Sequence, residues 1–276
     1  MKFSVLLSVY SEEKPSNLES CLVSIYNSTV WPSEVIVVKD GQLPSPLLKI
    51  LSKFNSYSGF IVYGYDKPMG LGYALNFGLQ KCKYEIIFRM DSDDIMLNKR
   101  FEKQLKYLAD NPSVSVLGGL IQEFDDNGLK SIRVVKSKPL ARKIWLFNPL
   151  NHMTVAFKKS VILKHGGYDN VLYFEDFHLW LKLRKNRVVL ENISTVLVHA
   201  RVGKFFLRRR LGFKYVKHEI NFILKSYFAG YLSLPELILF VCLRLPTRIF
   251  GENILHFIYS FFLRTRTISF ENRLIP

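Results

Sequence analysis

Tyr84-Glu85-Ile86-Ile87-Phe88-Arg89-Met90-Asp91-Ser92-Asp93-Asp94-Ile95-Met96-Leu97 is the stretch on which the reading of this chain turns. Residues 85–90 are mostly apolar and have the length of a buried strand. They deliver three carboxylates at their end, Asp91, Asp93 and Asp94. Side chains two apart in extended backbone point to the same side, so Asp91 and Asp93 converge on one volume. A hard divalent cation suits such a pair, because it takes oxygen ligands and keeps positions for water and phosphate. The competing reading is a solvated acidic turn in which Asp94 caps the next helix. The flanking chain bears on the choice.

Working outward, apolar runs predict strands at 3–10, 35–38 and 60–65. Helical spacing predicts helices beginning at Pro15, over 47–54 and over 71–82, and one carrying Phe101, Leu105 and Leu108. Leu18, Cys21, Leu22 and Ile25 form the core face of the first helix, with Ser16 and Glu19 as its expected capping box. Strand and helix alternate, which argues for an α/β fold with a mostly parallel sheet flanked by helices and ligands at the carboxyl ends of the strands. Asp40, in Lys39-Asp40-Gly41, and Asp91 both fall at such ends.

Beyond Val114 the parallel regularity is lost. A strand to about Gln122, a turn at Asp126-Asn127-Gly128, an extended piece to Val135 and a short helix over 141–147 are expected. A loop over 148–157 then leads into another strand, and Gly166-Gly167 ends a short helix. Glu175-Asp176 opens the next helix, either as functional acids or as a pair favoured by the helix dipole. His199-Ala200-Arg201 is expected to follow a strand.

The chain has 276 residues and a formal net charge of +16, with 39 Lys or Arg against 23 acids. Such a balance points to a phosphate-bearing partner or an anionic surface. Cys21, Cys82 and Cys242 lack the paired spacing of a zinc site or disulfide framework. The apolar start at 3–9 is too short for a leader and reads as a strand. No run reaches the ~18 apolar residues of a spanning helix. From Arg201 onward stand 13 Lys or Arg and 4 Glu, a net +9. Apolar clusters at 237–243 and 254–263 alternate there with Arg244, Arg248, Arg264 and Arg266, the pattern of interfacial helices or of amphipathic helices packed on a core. Phe205 to Arg210, with its three arginines, is a phosphate-contact candidate or a solvated face.

Across roughly residues 3–205 the chain resembles family 2 glycosyltransferases of the GT-A fold, and it is similar to bacterial enzymes that assemble O-antigen, capsule and exopolysaccharide repeat units. Ser8-Val9-Tyr10 with Glu12 resembles the first nucleotide-binding strand, and Val37-Val38-Lys39-Asp40-Gly41 the turn whose aspartate meets uracil. Gly70-Leu71-Gly72-Tyr73-Ala74-Leu75-Asn76-Phe77-Gly78 resembles the helix bordering the nucleotide, although Lys67-Pro68-Met69 stands where the family often has asparagine. Met90-Asp91-Ser92-Asp93-Asp94 matches the metal and diphosphate motif. Gly167-Tyr168, then Glu175-Asp176 with Leu179-Trp180, match the acceptor segment.

The resemblance implies transfer of a hexose from a UDP-sugar, UDP-galactose or UDP-glucose favoured, with inversion to a β-linkage. Mn²⁺ or Mg²⁺ on Asp93 and Asp91 is expected to stabilise the leaving diphosphate. Asp176 is expected to be the base, supported by Glu175. Ser8, Tyr10, Glu12, Asp40, Gly70, Asn76, Asp91 and Arg201 are nucleotide-side candidates, while His152 and Trp180 are acceptor-side candidates. The expected organisation is a GT-A catalytic domain over 1–205, with a nucleotide-sugar half at 1–110 and an acceptor half at 111–205. A basic amphipathic helical extension follows over 206–276. The expected acceptor is a saccharide on undecaprenyl diphosphate, reached from the cytoplasmic face of the bacterial inner membrane by peripheral attachment to its anionic surface, with no nucleic acid partner. A basic binding module without chemistry leaves the separated acids unexplained. A nucleotidyltransferase would be expected to show a basic triphosphate loop where Ser11-Glu12-Glu13 stands.

Overall fold

Val35-Ile36-Val37-Val38 is apolar on both faces, and a strand of that kind is stable only with both faces covered. In the computed structural model, which describes residues 1–125, 128–133, 146–203, 212–249 and 264–265, these four side chains are fully buried in β2 (Glu34–Asp40). β2 pairs in parallel with β1 (Phe3–Tyr10) and β3 (Phe60–Tyr65), and β1 pairs in parallel with β4 (Ile86–Arg89). Helices α1 (Pro15–Tyr26), α2 (Ser45–Lys53) and α3 (Leu71–Lys81) make the crossovers. β1 to β4 are thus parallel to one another, as the alternation of elements predicts.

The second half mixes directions. β8 (Ala156–Lys158) runs antiparallel to both β4 and β6 (Val114–Asp125), and β7 (Gly128–Arg133) runs antiparallel to β6. β9 (Val189–Arg201) returns parallel to β6 and pairs with the two-residue β5 (Ile95–Met96). The strand order is β10-β7-β6-β8-β4-β1-β2-β3, with β10 being Arg264–Thr265. His199-Ala200-Arg201 lies inside β9 rather than after it, because Phe124 pairs with Arg201 and extends the ladder.

Successive β1 residues point to opposite faces. Phe3, Val5 and Leu7 enter one core layer with α1, α2 and α4 (Arg100–Asp110), while Leu6 enters the other with α3 and α6 (Glu175–Lys185). α3 lies so close to the sheet that a Cβ at Gly78 would stand 2.4 Å from Leu6 Cδ1 and 2.7 Å from Val38 Cγ2. Two expected caps are corrected. Pro15 occupies the first turn of α1 and sets its start before Ser16, so the expected Ser16-Glu19 box is not formed; Glu13 Oε1 instead accepts the Lys14 N–H at 2.8 Å. Asp94 caps nothing, since α4 begins only at Arg100.

The basic C-terminal segment shares this core. In α7 (Phe213–Phe228), Phe222 is fully buried and stacks on Phe174 with ring centroids 4.7 Å apart and planes 8° from parallel. Phe240 of α8 (Leu234–Ile249) is also fully buried in the same layer. Arg244 of α8 pairs at 2.7 Å with Glu219 of α7, whose side chain has no solvent exposure. Among the described residues no helix is long and apolar enough to cross a membrane. α5 (Lys159–Lys164) ends at the expected Gly166-Gly167 turn, both glycines having positive φ. The expected turn residues Asp126 and Asn127, the extended piece past Arg133, most of the expected helix at 141–147, Phe205 to Arg210 and the apolar cluster at 254–263 lie outside the described residues.

Candidate active site

The acidic motif leaves β4 at the carboxyl end of the parallel strands, beside Tyr10 and Asp40, which pair in register at the ends of β1 and β2. Arg89, buried in β4, grips both oxygens of Asp91 in a bidentate ion pair. Ser92 Oγ donates to Glu13 Oε2 at 2.6 Å, fastening the motif to the loop after β1. Asp94 is 2% exposed; its Oδ1 accepts the Arg201 N–H at 2.8 Å, while its buried Oδ2 has no hydrogen-bond partner. Arg201 Nε donates to the Asp93 carbonyl at 3.2 Å, and its guanidinium lies 4.5 Å from the Phe124 ring centroid.

Burial, then the neighbouring charges of Asp91 and Glu13, push the Asp93 carboxyl up to about 7. Burial with Asp93 and Asp91 raises Asp94 too. An orphaned carboxylate oxygen beside crowded acids is the donor chemistry of a hard divalent cation. The residues therefore fit such an ion, Asp94 offering the orphaned oxygen and Asp93 a carboxyl crowded by Asp91 and Glu13. Arg89 already supplies counter-charge to Asp91, which narrows the expectation that both acids hold the ion. Among the described residues no three acidic, His or Cys side chains form a full ligand set.

On the nucleotide side, Ser8 and Tyr10 line the end of β1, Tyr10 being half exposed. Asp40 Oδ1 accepts the Tyr65 hydroxyl at 2.9 Å and the Met69 N–H at 2.7 Å, and Oδ2 accepts the Gly70 N–H at 3.0 Å. Asp40 and Gly70 thus form one turn at the mouth of α3. Glu12 is exposed, and Glu13 makes the contact with the motif. Asn76 is corrected. Its Nδ2 donates to the Tyr168 carbonyl at 2.7 Å and its Oδ1 accepts the Tyr168 N–H at 2.8 Å, so its amide bridges α3 to the turn before α6 instead of facing a nucleotide. Gly167, at φ +68°, belongs to the same contact, since a Cβ there would stand 2.3 Å from Asn76 Oδ1.

Glu175 and Asp176 occupy the first turn of α6 and line a cavity of about 460 Å³ that also reaches Asp91 and Arg89. Asn148 Nδ2 donates to Asp176 Oδ2 at 2.6 Å, and the Phe177 N–H donates to Oδ1 at 2.7 Å. Burial raises the Asp176 carboxyl, and these two bonds oppose the shift. Burial, with the neighbouring Asp176, pushes Glu175 up to about 7. His152 lines the same cavity with Nε2 2.9 Å from the Tyr168 hydroxyl. Burial, and then the Arg89 charge, hold this imidazole well below its ordinary value, so it is neutral at pH 7. Trp180 is corrected: it has no solvent exposure and packs in the core with Phe177 and Leu181. Its ring meets that of the cavity-lining His152 edge-on, with centroids 6.1 Å apart.

With this geometry in place, the comparisons bear on it directly. The family model described as Glycosyl transferase family 2 matches residues 4–167, more than half of the chain. The chain is a family 2 glycosyltransferase. The transferase is 38% identical over 268 residues to the Escherichia coli "UDP-Gal:alpha-D-GlcNAc-diphosphoundecaprenol beta-1,3-galactosyltransferase", covering 95% of this chain and 97% of that one. It is 32% identical to the "Amylovoran biosynthesis glycosyltransferase AmsE" of Erwinia amylovora, covering 94% of this chain and 98% of that one. In fold it is similar to S. aureus TarS 1-349 in complex with UDP-GlcNAc, with a TM-score of 0.66 at 18% identity over 95% of this chain and 73% of that one. These relatives and neighbours agree with the GT-A architecture read from the sheet.

Four contacts of the transferase carry no local sequence signal. Arg100, 1% exposed, donates from Nη2 to the Arg89 carbonyl at 2.8 Å and from Nε to Gln104 Oε1 at 3.1 Å. Burial, then the like charge of Arg89, bring its guanidinium down to about 9. Gln104 Nε2 donates in turn to the Leu117 and Thr154 carbonyls, at 2.8 and 2.9 Å. The pair braces the back of the acidic motif. Glu13 and Asn148 supply the other two contacts.

The Asn76 bridge makes a prediction. Asn76→Ala leaves both backbone groups of Tyr168 without their partner, a loss of about 2 kcal/mol for two hydrogen bonds. The melting temperature is expected to fall by roughly 5 °C, with UDP affinity unchanged by calorimetry. A selective loss of UDP affinity would return Asn76 to the nucleotide site.

Proposed function

We propose that this transferase moves a hexose from UDP-galactose or UDP-glucose to a saccharide linked through diphosphate to undecaprenol, with inversion to a β-linkage, in bacterial surface polysaccharide assembly. The observation that carries this reading is the single cavity lined by Asp91, Glu175 and Asp176, which joins the diphosphate motif to a suitable base. The similarity over nearly full length to a galactosyltransferase whose name specifies a GlcNAc-diphosphoundecaprenol acceptor supports the substrate class.

Asp176, oriented by Asn148 and the Phe177 N–H, accepts the proton of the attacking acceptor hydroxyl, and Glu175 helps to hold that hydroxyl. Asp40, Tyr10 and Ser8 border the nucleoside, and Arg201 holds the backbone of the motif from behind. A divalent cation, Mn²⁺ or Mg²⁺, held by Asp93 would supply Lewis-acid stabilisation of the leaving diphosphate. The test is UDP release with UDP-galactose or UDP-glucose and Mn²⁺, with and without GlcNAc α-diphosphate on an undecyl chain. Acceptor-dependent release is expected. Release at the same slow rate with and without acceptor would remove this acceptor.

We also propose peripheral attachment to the anionic cytoplasmic face of the inner membrane. The outward face of α7 carries exposed Phe213, Ile220, Leu224 and Phe228, and that of α8 carries Leu234, Ile238 and Leu243. Exposed Lys217 and Lys225 lie along α7. Apolar side chains interleaved with cations suit a headgroup boundary. Leu224→Asp with Ile238→Asp removes two exposed apolar side chains whose burial in the membrane is worth roughly 1.5 kcal/mol or more each, so binding to phosphatidylglycerol vesicles is expected to weaken at least ~100-fold. Unchanged cosedimentation of the double variant would refute the surface.

A further inference from the structure

Tyr173 holds a backbone conformation that its side chain disfavours. Its φ is +70°, in the left-handed region where the Cβ of an L-residue crowds the backbone. Gly166 and Gly167, a few residues earlier, meet the same demand with glycine. Burial does not explain the tyrosine, because the residue is 51% exposed. It lines the cavity three positions before Asp176. Two aromatic side chains of α7 steady it, with ring centroids 5.6 Å away at Tyr215 and 5.3 Å away at His218. Leu172, also exposed, stands on the same wall. Strained residues that persist at a site are held there by their surroundings and commonly serve its task.

We propose that Tyr173, backed by Tyr215 and flanked by Leu172, forms a stacking subsite for the apolar C–H face of an acceptor pyranose. An aromatic face is electron-rich and attracts the partial positive charge of C–H bonds. A ring seated there keeps its edge hydroxyls for Asp176, Glu175 and Asn148, which line the same cavity. A few polar groups on a largely apolar and aromatic wall are what fix the orientation of a small ligand. The subsite rests on the proposed saccharide acceptor.

The test compares Tyr173→Gly, which relaxes the backbone and removes the ring, with Tyr173→Phe, which keeps the ring. Acceptor kinetics are measured with GlcNAc α-diphosphate on an undecyl chain and with a panel of pyranosides, alongside UDP affinity and melting temperature. The Gly variant is expected to melt no lower than wild type, to bind UDP equally, and to show an acceptor KM raised about tenfold with kcat little changed. The Phe variant is expected to stay within about twofold of wild type. An unchanged acceptor KM in the Gly variant overturns the subsite, as does a joint fall in melting temperature and UDP affinity, which marks a structural residue. If wild type glycosylates another pyranoside but not the GlcNAc diphosphate, the proposed acceptor fails and the same KM comparison on that pyranoside decides Tyr173. Wild type that glycosylates no pyranose overturns both.

Discussion

Asp176→Asn is expected to bind the nucleotide sugar as tightly as wild type and to lose transfer by about 10³-fold, the range for removing a positioned general base. The substitution is nearly isosteric. Its amide oxygen can still accept the Phe177 N–H, now held at 2.7 Å, while its nitrogen meets Asn148 only if that amide turns to present its Oδ1 in place of the Nδ2 that now donates at 2.6 Å. What it loses is the ability to take a proton. Calorimetry with UDP and initial rates at saturating acceptor check the two halves of the expectation. A rate within tenfold of wild type would show that another group takes the proton. The pH profile of wild type follows from the same environment. Both acids are raised, Glu175 to about 7, chiefly by burial. Glu175 therefore takes up a proton as pH falls through about 7, and Asp176 does so above its ordinary value, so transfer is expected to decline on the acid side above the ordinary carboxylate range.

Asp93→Ala is expected to abolish the part of donor binding that depends on a divalent ion, weakening UDP affinity in Mn²⁺ by about 10²-fold or more. It is also expected to erase the rise in melting temperature that Mn²⁺ with UDP gives wild type, since a ligand stabilises only what it binds. Asp93 is the informative acid of the motif. Removing Asp91 would leave the buried Arg89 without its bidentate partner, a loss of about 3–5 kcal/mol that confounds binding with folding. Asp93 makes no such ion pair among the described residues, so its loss reads on the ligand. A variant whose melting temperature still rises with Mn²⁺ and UDP as in wild type would sink the assignment.

The parallel half of the fold was legible because each of its elements announces itself locally. The apolar run at 60–65 is β3 itself, and the small-residue helix from Leu71 runs to Lys81, one residue short of its expected end. The acidic motif was legible for the same reason, as carboxylates at a strand end. What was hidden are pairings between distant residues. Arg89 carries no mark of its partner in the sequence, and only the fold brings its guanidinium back onto Asp91. Arg100 and Gln104 stand four apart on the apolar face of α4, but their carbonyl partners come from β4, β6 and the turn before β8. Asn76 and Trp180 went the other way: their positions match the family segments, yet their contacts are with the turn before α6 and with the core. α7 falls within the helical extension expected over 206–276, and it is apolar on two faces. Val216, Phe222 and Ile223 face inward and Ile220, Leu224 and Phe228 outward, which blurs the single stripe that marks an amphipathic helix.

The two hydrogen bonds between Asn76 and Tyr168 have a consequence for anyone who would re-engineer this molecule. They join α3 to the turn that leads into Glu175 and Asp176, across 92 positions of sequence. The two halves of the chain are therefore not interchangeable parts. A chimera that joins the first half of one relative to the second half of another inherits a mismatched seam unless it carries residue 76 and the glycine-tyrosine turn together from one parent.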